Sequence, residues 1–273
     1  MANPFLSCVH THTHFCDGKD APEVMVKRAL ELGFVSLGFS GHAPARWDPA
    51  AMSDEALAQY ITEIRQLQEV YDGQLEILLG IERENDEHPL PEDVFEYSIE
   101  SVHSLEIDGE PCYIDWSLEK MQAGVEKFFG GDIYTYAEAY FATCAKQYEK
   151  SKAQIAGHID LLTKFNESTP LIDETNPRYR KALFEAIDTG LENGLVFEVN
   201  SGAISRGYRT TPYPAPFILE YLLEKKAPVV VTGDCHDARY LDCHYEEIAE
   251  LLRTIGFKST LRLRKSGWEE IGL

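Results

Sequence analysis

Three histidines alternate in the stretch Val9-His10-Thr11-His12-Thr13-His14-Phe15-Cys16-Asp17, which ends in an acid before Gly18. Residues two apart in an extended chain point to the same side, so His10, His12 and His14 share a face only while the chain stays extended. Imidazole is the commonest metal ligand among side chains, so the chemistry this stretch offers is metal binding. More ligand-type residues follow, each just beyond a short apolar run: His42, Glu82, His103, His158, and Asp234 with His236. Histidines scattered through a core would not keep that register. Together these side chains exceed the four positions one zinc ion uses, which argues for two or three ions. Mixed imidazole and carboxylate donors suit zinc, iron or manganese better than calcium. Glu82, midway in the order, is the candidate bridge, and Asp234 is expected on the ion of the first histidine pair. Clustered dications point to hydrolysis, because they lower the pKa of bound water and stabilise charge on attacking and leaving groups.

The elements that must position these residues alternate along the chain. Strands are expected at residues 6–9, 35–39, 76–81, 95–102, 153–156, 195–199 and 229–232. Helices are expected at 22–32, 54–71, 134–149, 177–193, 216–225 and 245–254, with Pro22 in a first turn and Gly33 after a last one. Residues 104–131 read as an irregular excursion, and 260–263 as an edge strand. Seven strand-then-helix units imply parallel strands, since each crossover returns the chain to the same edge. The expected fold is an α/β closed or nearly closed barrel, with an open doubly wound sheet as the rival. In a parallel barrel the strand C-termini open on one face, where active sites form. Gly38 and Gly41 read as a turn, because their spacing does not match a cofactor fingerprint.

Composition narrows the function. The 273 residues, 44% hydrophobic, suffice for one large domain, taken to span 1–273. With 25 basic against 46 acidic residues the net charge is −21, which argues against a nucleic-acid binder needing a basic track. Six cysteines form no CxxC pair and read as free thiols in a reducing compartment. The sequence holds no signal-like N-terminus and no apolar stretch long enough for a membrane span, so a cytoplasmic protein is expected. Against this acidity the loop Ser205-Arg206-Gly207-Tyr208-Arg209-Thr210 stands out. Two arginines following the sixth strand would suit a phosphate clamp, since guanidinium grips phosphate bidentately. Lys164 and Arg46 are weaker candidates for that role.

Read in order, His-x-His-Thr-x-x-Cys-Asp-Gly, Ser-Gly-His, Gly-Ile-Glu, Ser-Val-His, Gly-His-Ile-Asp and Gly-Asp-Cys-His resemble the polymerase-and-histidinol-phosphatase superfamily over nearly the whole chain. The resemblance implies a distorted seven-stranded (β/α)7 barrel, similar to a TIM barrel, and three divalent metal ions. The first ion would take His10, His12, Glu82 and Asp234. The second would share Glu82 with His103 and His158, and the third would use Asp17, His42 and His236. His14 then falls outside the set, and Asp17 stands where some relatives carry histidine. Within the superfamily the chain looks most like the monofunctional histidinol-phosphate phosphatases of histidine biosynthesis, which act on a small phosphorylated substrate. The implied reaction is direct hydrolysis by a hydroxide bridging the first two ions. Arg206, Arg209 and Lys164 would contact the substrate, and Asp17 or water at His42 would supply the leaving-group proton. Other readings are a different phosphomonoesterase, phosphodiesterase or nuclease of the superfamily, a non-catalytic metal-binding regulatory module, or an amidohydrolase-type deaminase. No strand-end lysine suits the last of these.

Overall fold

The computed structural model describes residues 5–84 and 88–273. In chain order the first elements are β1 (Ser7–Cys8), α1 (Pro22–Leu32), β2 (Ser36–Phe39), α2 (Asp54–Val70), β3 (Glu76–Arg83) and β4 (Tyr97–Glu100). A hairpin follows, β5 (Ser104–Ile107) and β6 (Glu110–Tyr113), then α3 (Leu118–Phe129), α4 (Ile133–Lys150), β7 (Ile155–Ala156), α5 (Pro177–Glu192) and β8 (Val196–Asn200). The chain ends with the short turn α6 (Gly202–Ser205), α7 (Pro216–Glu224), β9 (Val229–Thr232), α8 (Tyr245–Ile255), β10 (Ser259–Arg264) and β11 (Gly267–Gly272).

Local chemistry sets the helix boundaries. Pro22 occupies the first turn of α1, and Gly33 ends it in the left-handed conformation. Ser53 caps α2 by accepting the Ala56 amide, and Asp132 caps α4 through Tyr134 and Thr135. In α2 the buried residues Leu57, Tyr60, Ile64 and Leu67 recur at helical spacing, so one stripe faces the sheet.

The strands run in the order β1-β2-β3-β4-β7-β8-β9, every neighbouring pair parallel. The sheet then closes on itself. Thr11 bridges Cys235 in parallel: the His12 amide donates to Cys235 O at 2.9 Å, and the Cys235 amide donates to His10 O at 3.0 Å. The closed barrel is therefore observed, and the open-sheet rival is not. Its interior holds Val9, Leu78, Tyr97, Ile99, Ile155, Val196 and Val230, while a larger apolar layer fills the space between strands and helices.

Among the described residues, the β3–β4 connection carries a short 3-10 turn at Glu92–Val94 and no α-helix, in keeping with the expected helices, none of which falls there. Three details differ from the sequence reading. The excursion after His103 is ordered as β5, β6 and α3 rather than irregular. Gly38 lies inside β2, not in a turn. A Cβ at Gly38 would stand 2.4 Å from the Tyr97 hydroxyl, and one at Gly80 would stand 2.3 Å from the Tyr97 ring. The two strands give up side chains so that one tyrosine can fill the barrel, its hydroxyl donating to Val9 O at 2.6 Å. Lastly, the expected edge strand is half of a hairpin. β10 pairs with β9, and Leu263, Leu261 and Trp268 pack on the barrel interior. Ser36 Oγ donates to Leu263 O, Arg262 to Phe5 O, and Arg264 pairs with Glu76. All three partners sit where strands begin, so the hairpin covers the N-terminal mouth and leaves the opposite end to the site.

Candidate metal centre

Each candidate ligand reaches the open end by a local device. Beyond β1 the chain bends at Val9 and bridges Cys235 at Thr11, then turns: the Cys16 and Gly18 amides both donate to Thr13 O, at 3.0 and 3.1 Å. A Cβ at Gly18 would stand 2.4 Å from Thr13 N, so glycine lets this turn close. The turn returns Asp17 to within 3.5 Å of His12 Nδ1 and 3.1 Å of His236 Nε2. It also sends His14 away, exposed, its ring tilted against Phe15 with centroids 4.4 Å apart. His42 extends β2 by a bridge to Glu82.

Glu82 sits at the centre, 1% exposed. Its Oε2 lies 3.2 Å from His10 Nε2, 3.5 Å from His12 Nε2 and 3.3 Å from His42 Nδ1. Its Oε1 lies 3.2 Å from His158 Nε2 and 3.6 Å from His103 Nε2, and accepts from Ser101 Oγ at 2.6 Å. The two oxygens thus face different histidine sets, which is the placement a bridging carboxylate needs. Asp234 Oδ1 lies 3.2 Å from His12 Nε2, 3.7 Å from His10 Nε2 and 3.4 Å from His236 Nδ1.

These side chains fit divalent ions. His10 Nε2, His12 Nε2, His42 Nδ1 and Glu82 Oε2 are buried without a hydrogen-bond partner. Buried polar atoms are nearly always paired, and here the orphaned lone pairs converge. Ligand atoms of His10, His12 and Asp234 lie within 4.8 Å of one another; so do those of His10, Glu82 and His158, and those of His12, Asp17, His42 and His236. Electrostatics agree. Burial, with His236 and His42 nearby, lowers His12 to about 3, so its ring is neutral and able to coordinate. Burial opposes ionisation of Glu82, yet the surrounding histidines, His10 and His42 foremost, hold its carboxyl well below the usual range. At His42 burial is outweighed by Glu82, Asp48 and Asp17, which raise it to about 9. A proton there balances carboxylate charge that a divalent cation would balance instead.

The two arginines of the 205–210 loop separate. Arg206 reaches the pocket, its Nη2 2.8 Å from Asp234 Oδ2 and its Nη1 3.3 Å from His236 Nδ1. Arg209 does not line the pocket. It is buried, donates to Asp160 Oδ2 at 3.2 Å and Thr163 Oγ1 at 2.7 Å, and lies 4.5 Å over the Tyr213 ring. The expected two-arginine clamp is therefore a single arginine at the rim and a second one bracing its loop. Lys164 lines the pocket but is held by Asp115 Oδ2 at 2.9 Å. Arg46 lies over Trp47 at 4.3 Å. The pocket, about 200 Å³, is also lined by Trp47, Tyr113, Trp116 and Asp115.

Sequence reasoning missed several of these neighbours. Asp48 Oδ2 lies 3.3 Å from His42 Nδ1, and Glu84 contacts the His103 ring. Asp48 sits in an ordinary-looking loop with no signal. Glu198 had one: a lone acid inside the apolar run Leu195-Val196-Phe197-Glu198-Val199. Among the described residues no helix is long and apolar enough to cross a membrane.

Comparison with known proteins agrees with this geometry. Residues 9–202 match the PHP domain. The histidinol-phosphatase of Bacillus subtilis is 30% identical over 265 residues, covering 88% of this chain and 97% of the relative. A Listeria monocytogenes structure superposes with a TM-score of 0.77 at 24% identity, covering 88% of this chain and 99% of the other. The Lactococcus lactis histidinol phosphate phosphatase, complexed with zinc, L-histidinol and phosphate, gives a TM-score of 0.74 at 20% identity, covering 96% and 98%. These two likenesses place the fold among distorted TIM barrels. On the domain match and the near full-length relative, the chain belongs to the PHP domain family and resembles its histidinol-phosphatase members.

Proposed function

We propose that this chain is a metal-dependent phosphomonoesterase that hydrolyses L-histidinol phosphate to L-histidinol and inorganic phosphate. The observation that carries the reading is Glu82, whose two buried oxygens face separate histidine sets at the mouth of a closed barrel. The Bacillus subtilis relative named histidinol-phosphatase and the Lactococcus lactis structure holding zinc, L-histidinol and phosphate support the substrate.

In this reading three ions would be held, one by His10, His12, Glu82 and Asp234, one by Glu82, His103 and His158, and one by Asp17, His42 and His236. When bound, such ions lower the pKa of water and place positive charge against the phosphate. Arg206 adds a guanidinium at the rim, positioned by Asp234 and by its own Nε donating to Gly202 O. Burial opposes ionisation of Asp17, but His236 outweighs it and holds the carboxyl far below its usual range, so Asp17 accepts rather than donates. Leaving-group protonation then falls to water entering the pocket. Trp47, Tyr113 and Trp116 give the non-phosphate end an aromatic wall, and Asp115 gives it a carboxylate.

The chain acts as one domain, because strands from Ser7 to Thr232 close one barrel and the hairpin 259–272 seals it. Six free cysteines suit a reducing cytoplasm. The test is phosphate release with added Mn²⁺ or Zn²⁺ from L-histidinol phosphate, simple phosphomonoesters, nucleotides and phosphodiesters. Preferred turnover of L-histidinol phosphate is expected. Equal turnover of all monoesters would remove the substrate assignment and leave the reaction class, and no metal-dependent turnover would remove both.

A further inference from the structure

Glu198 lies in β8 with its side chain wholly buried, inside the barrel beneath the candidate centre. Its carboxylate is saturated by donors from four strand ends. Oε2 accepts from His10 Nδ1 at 2.8 Å and Thr232 Oγ1 at 2.9 Å. Oε1 accepts from the His158 amide at 2.6 Å and Asn200 Nδ2 at 3.0 Å. The Asn200 amide orientation is itself fixed, since its Oδ1 accepts the Gly202 amide at 2.7 Å.

An ionised carboxylate only accepts, so His10 must carry its proton on Nδ1. The other ring nitrogen, Nε2, is then the one that faces Glu82 Oε2 and is left without a hydrogen-bond partner. We propose that Glu198 is a positioning residue: its carboxylate fixes the tautomer and ring orientation of His10, and the backbone of His158, so that both present to metal. The proposal rests on reading His10 and His158 as ligands of the phosphatase centre. Carboxylates behind ligand histidines commonly act this way, and losing one typically costs about 10–100-fold in metal affinity.

Glu198→Gln tests it by near-isosteric change. A glutamine can offer its oxygen to His10 only by turning its NH₂ toward the His158 amide. Turned the other way, its NH₂ drives the His10 proton onto Nε2. Zn²⁺ binding to metal-stripped protein is measured by competition with a chromophoric chelator, alongside thermal unfolding of the stripped protein. The expected result is a folded variant in which one binding step, or two neighbouring steps, weakens about 10–100-fold while at least one other is unchanged. Unchanged affinity at every step, or a uniform loss that tracks unfolding, would overturn the proposal. Should the variant not fold, ¹⁵N-histidine NMR of zinc-loaded wild-type protein decides: a retained proton on His10 Nδ1 with metal on Nε2 supports it, and metal on Nδ1 refutes it. No substrate enters either measurement, so failure of the histidinol phosphate reading would show separately in the turnover screen.

Discussion

Arg206 and Arg209 stand three residues apart in one loop, yet the structure gives them different work. The Arg209 side chain is 4% exposed and its partner Asp160 is wholly buried. Asp160 Oδ2 also accepts the Ala215 amide at 3.0 Å, so this carboxylate ties the far end of the loop to the turn after His158. Replacing Arg209 with Met keeps much of the apolar stem but leaves Asp160 facing an uncharged neighbour. Removing one member of a buried ion pair typically costs about 3–5 kcal/mol. At about 2–4 °C per kcal/mol for domains approaching this size, Tm should fall by about 6–20 °C. Arg206 is 31% exposed, and its partner Asp234, though only 5% exposed, is a proposed metal ligand whose charge bound ions would still balance in the loaded protein. Arg206→Met should therefore change stability by less than about 1 kcal/mol and lower kcat/KM for the phosphorylated substrate by about 10-fold or more, the loss of one charge-assisted contact. Urea unfolding of both variants, with kinetics at a temperature where each is folded, separates the two effects. A stable Arg209→Met protein with weakened phosphate binding would refute this division and restore the two-arginine clamp.

Two further outcomes follow from buried groups. Burial raises Glu100 to about 7 against an ordinary 4.5, with Ser151 and Arg83 only partly offsetting it. Because the folded state then binds more protons than the unfolded state between those values, stability falls as pH rises from about 4.5 to 7. Glu100→Gln removes that penalty, so its stability relative to wild type should rise by up to about 3 kcal/mol across that window in urea unfolding at several pH values; a pH-independent difference would contradict the burial argument. Gly80→Ala places a methyl against the Tyr97 ring two residues before Glu82, and should destabilise by about 1–3 kcal/mol and lower metal affinity together. Wild-type stability in that variant would show that Tyr97 does not fill the barrel as described.

The candidate ligand positions were legible because chemistry and topology coincide there: His42, His103, His158 and His236 each follow a short apolar strand whose end opens on one face. His14 and Asp17 show the limit of periodicity. Alternation favoured His14, but the Thr13–Gly18 turn discards it and returns Asp17 from one residue before the glycine. Arg209 could not be told from Arg206 by type or spacing, since only the buried Asp160 beside it decides its role. Asp48, Glu84 and Asp115 were illegible for the same reason: each acts through a neighbour distant in sequence or placed by a loop. The β10–β11 hairpin was half visible, since residues 260–263 alternate, while its place under the barrel mouth depends on Ser36, Phe5 and Glu76. Gly38 was misread because the ring that requires it, Tyr97, lies on another strand.

The central claim is that phosphate ester hydrolysis here depends on several ions organised by Glu82. Its most direct test is phosphate release from L-histidinol phosphate as Zn²⁺ or Mn²⁺ is titrated into metal-stripped protein, with bound metal counted at each point. Activity should be absent in the stripped protein and should rise only beyond the first bound equivalent. Full activity in the stripped protein, or saturation at a single bound ion, would contradict the account.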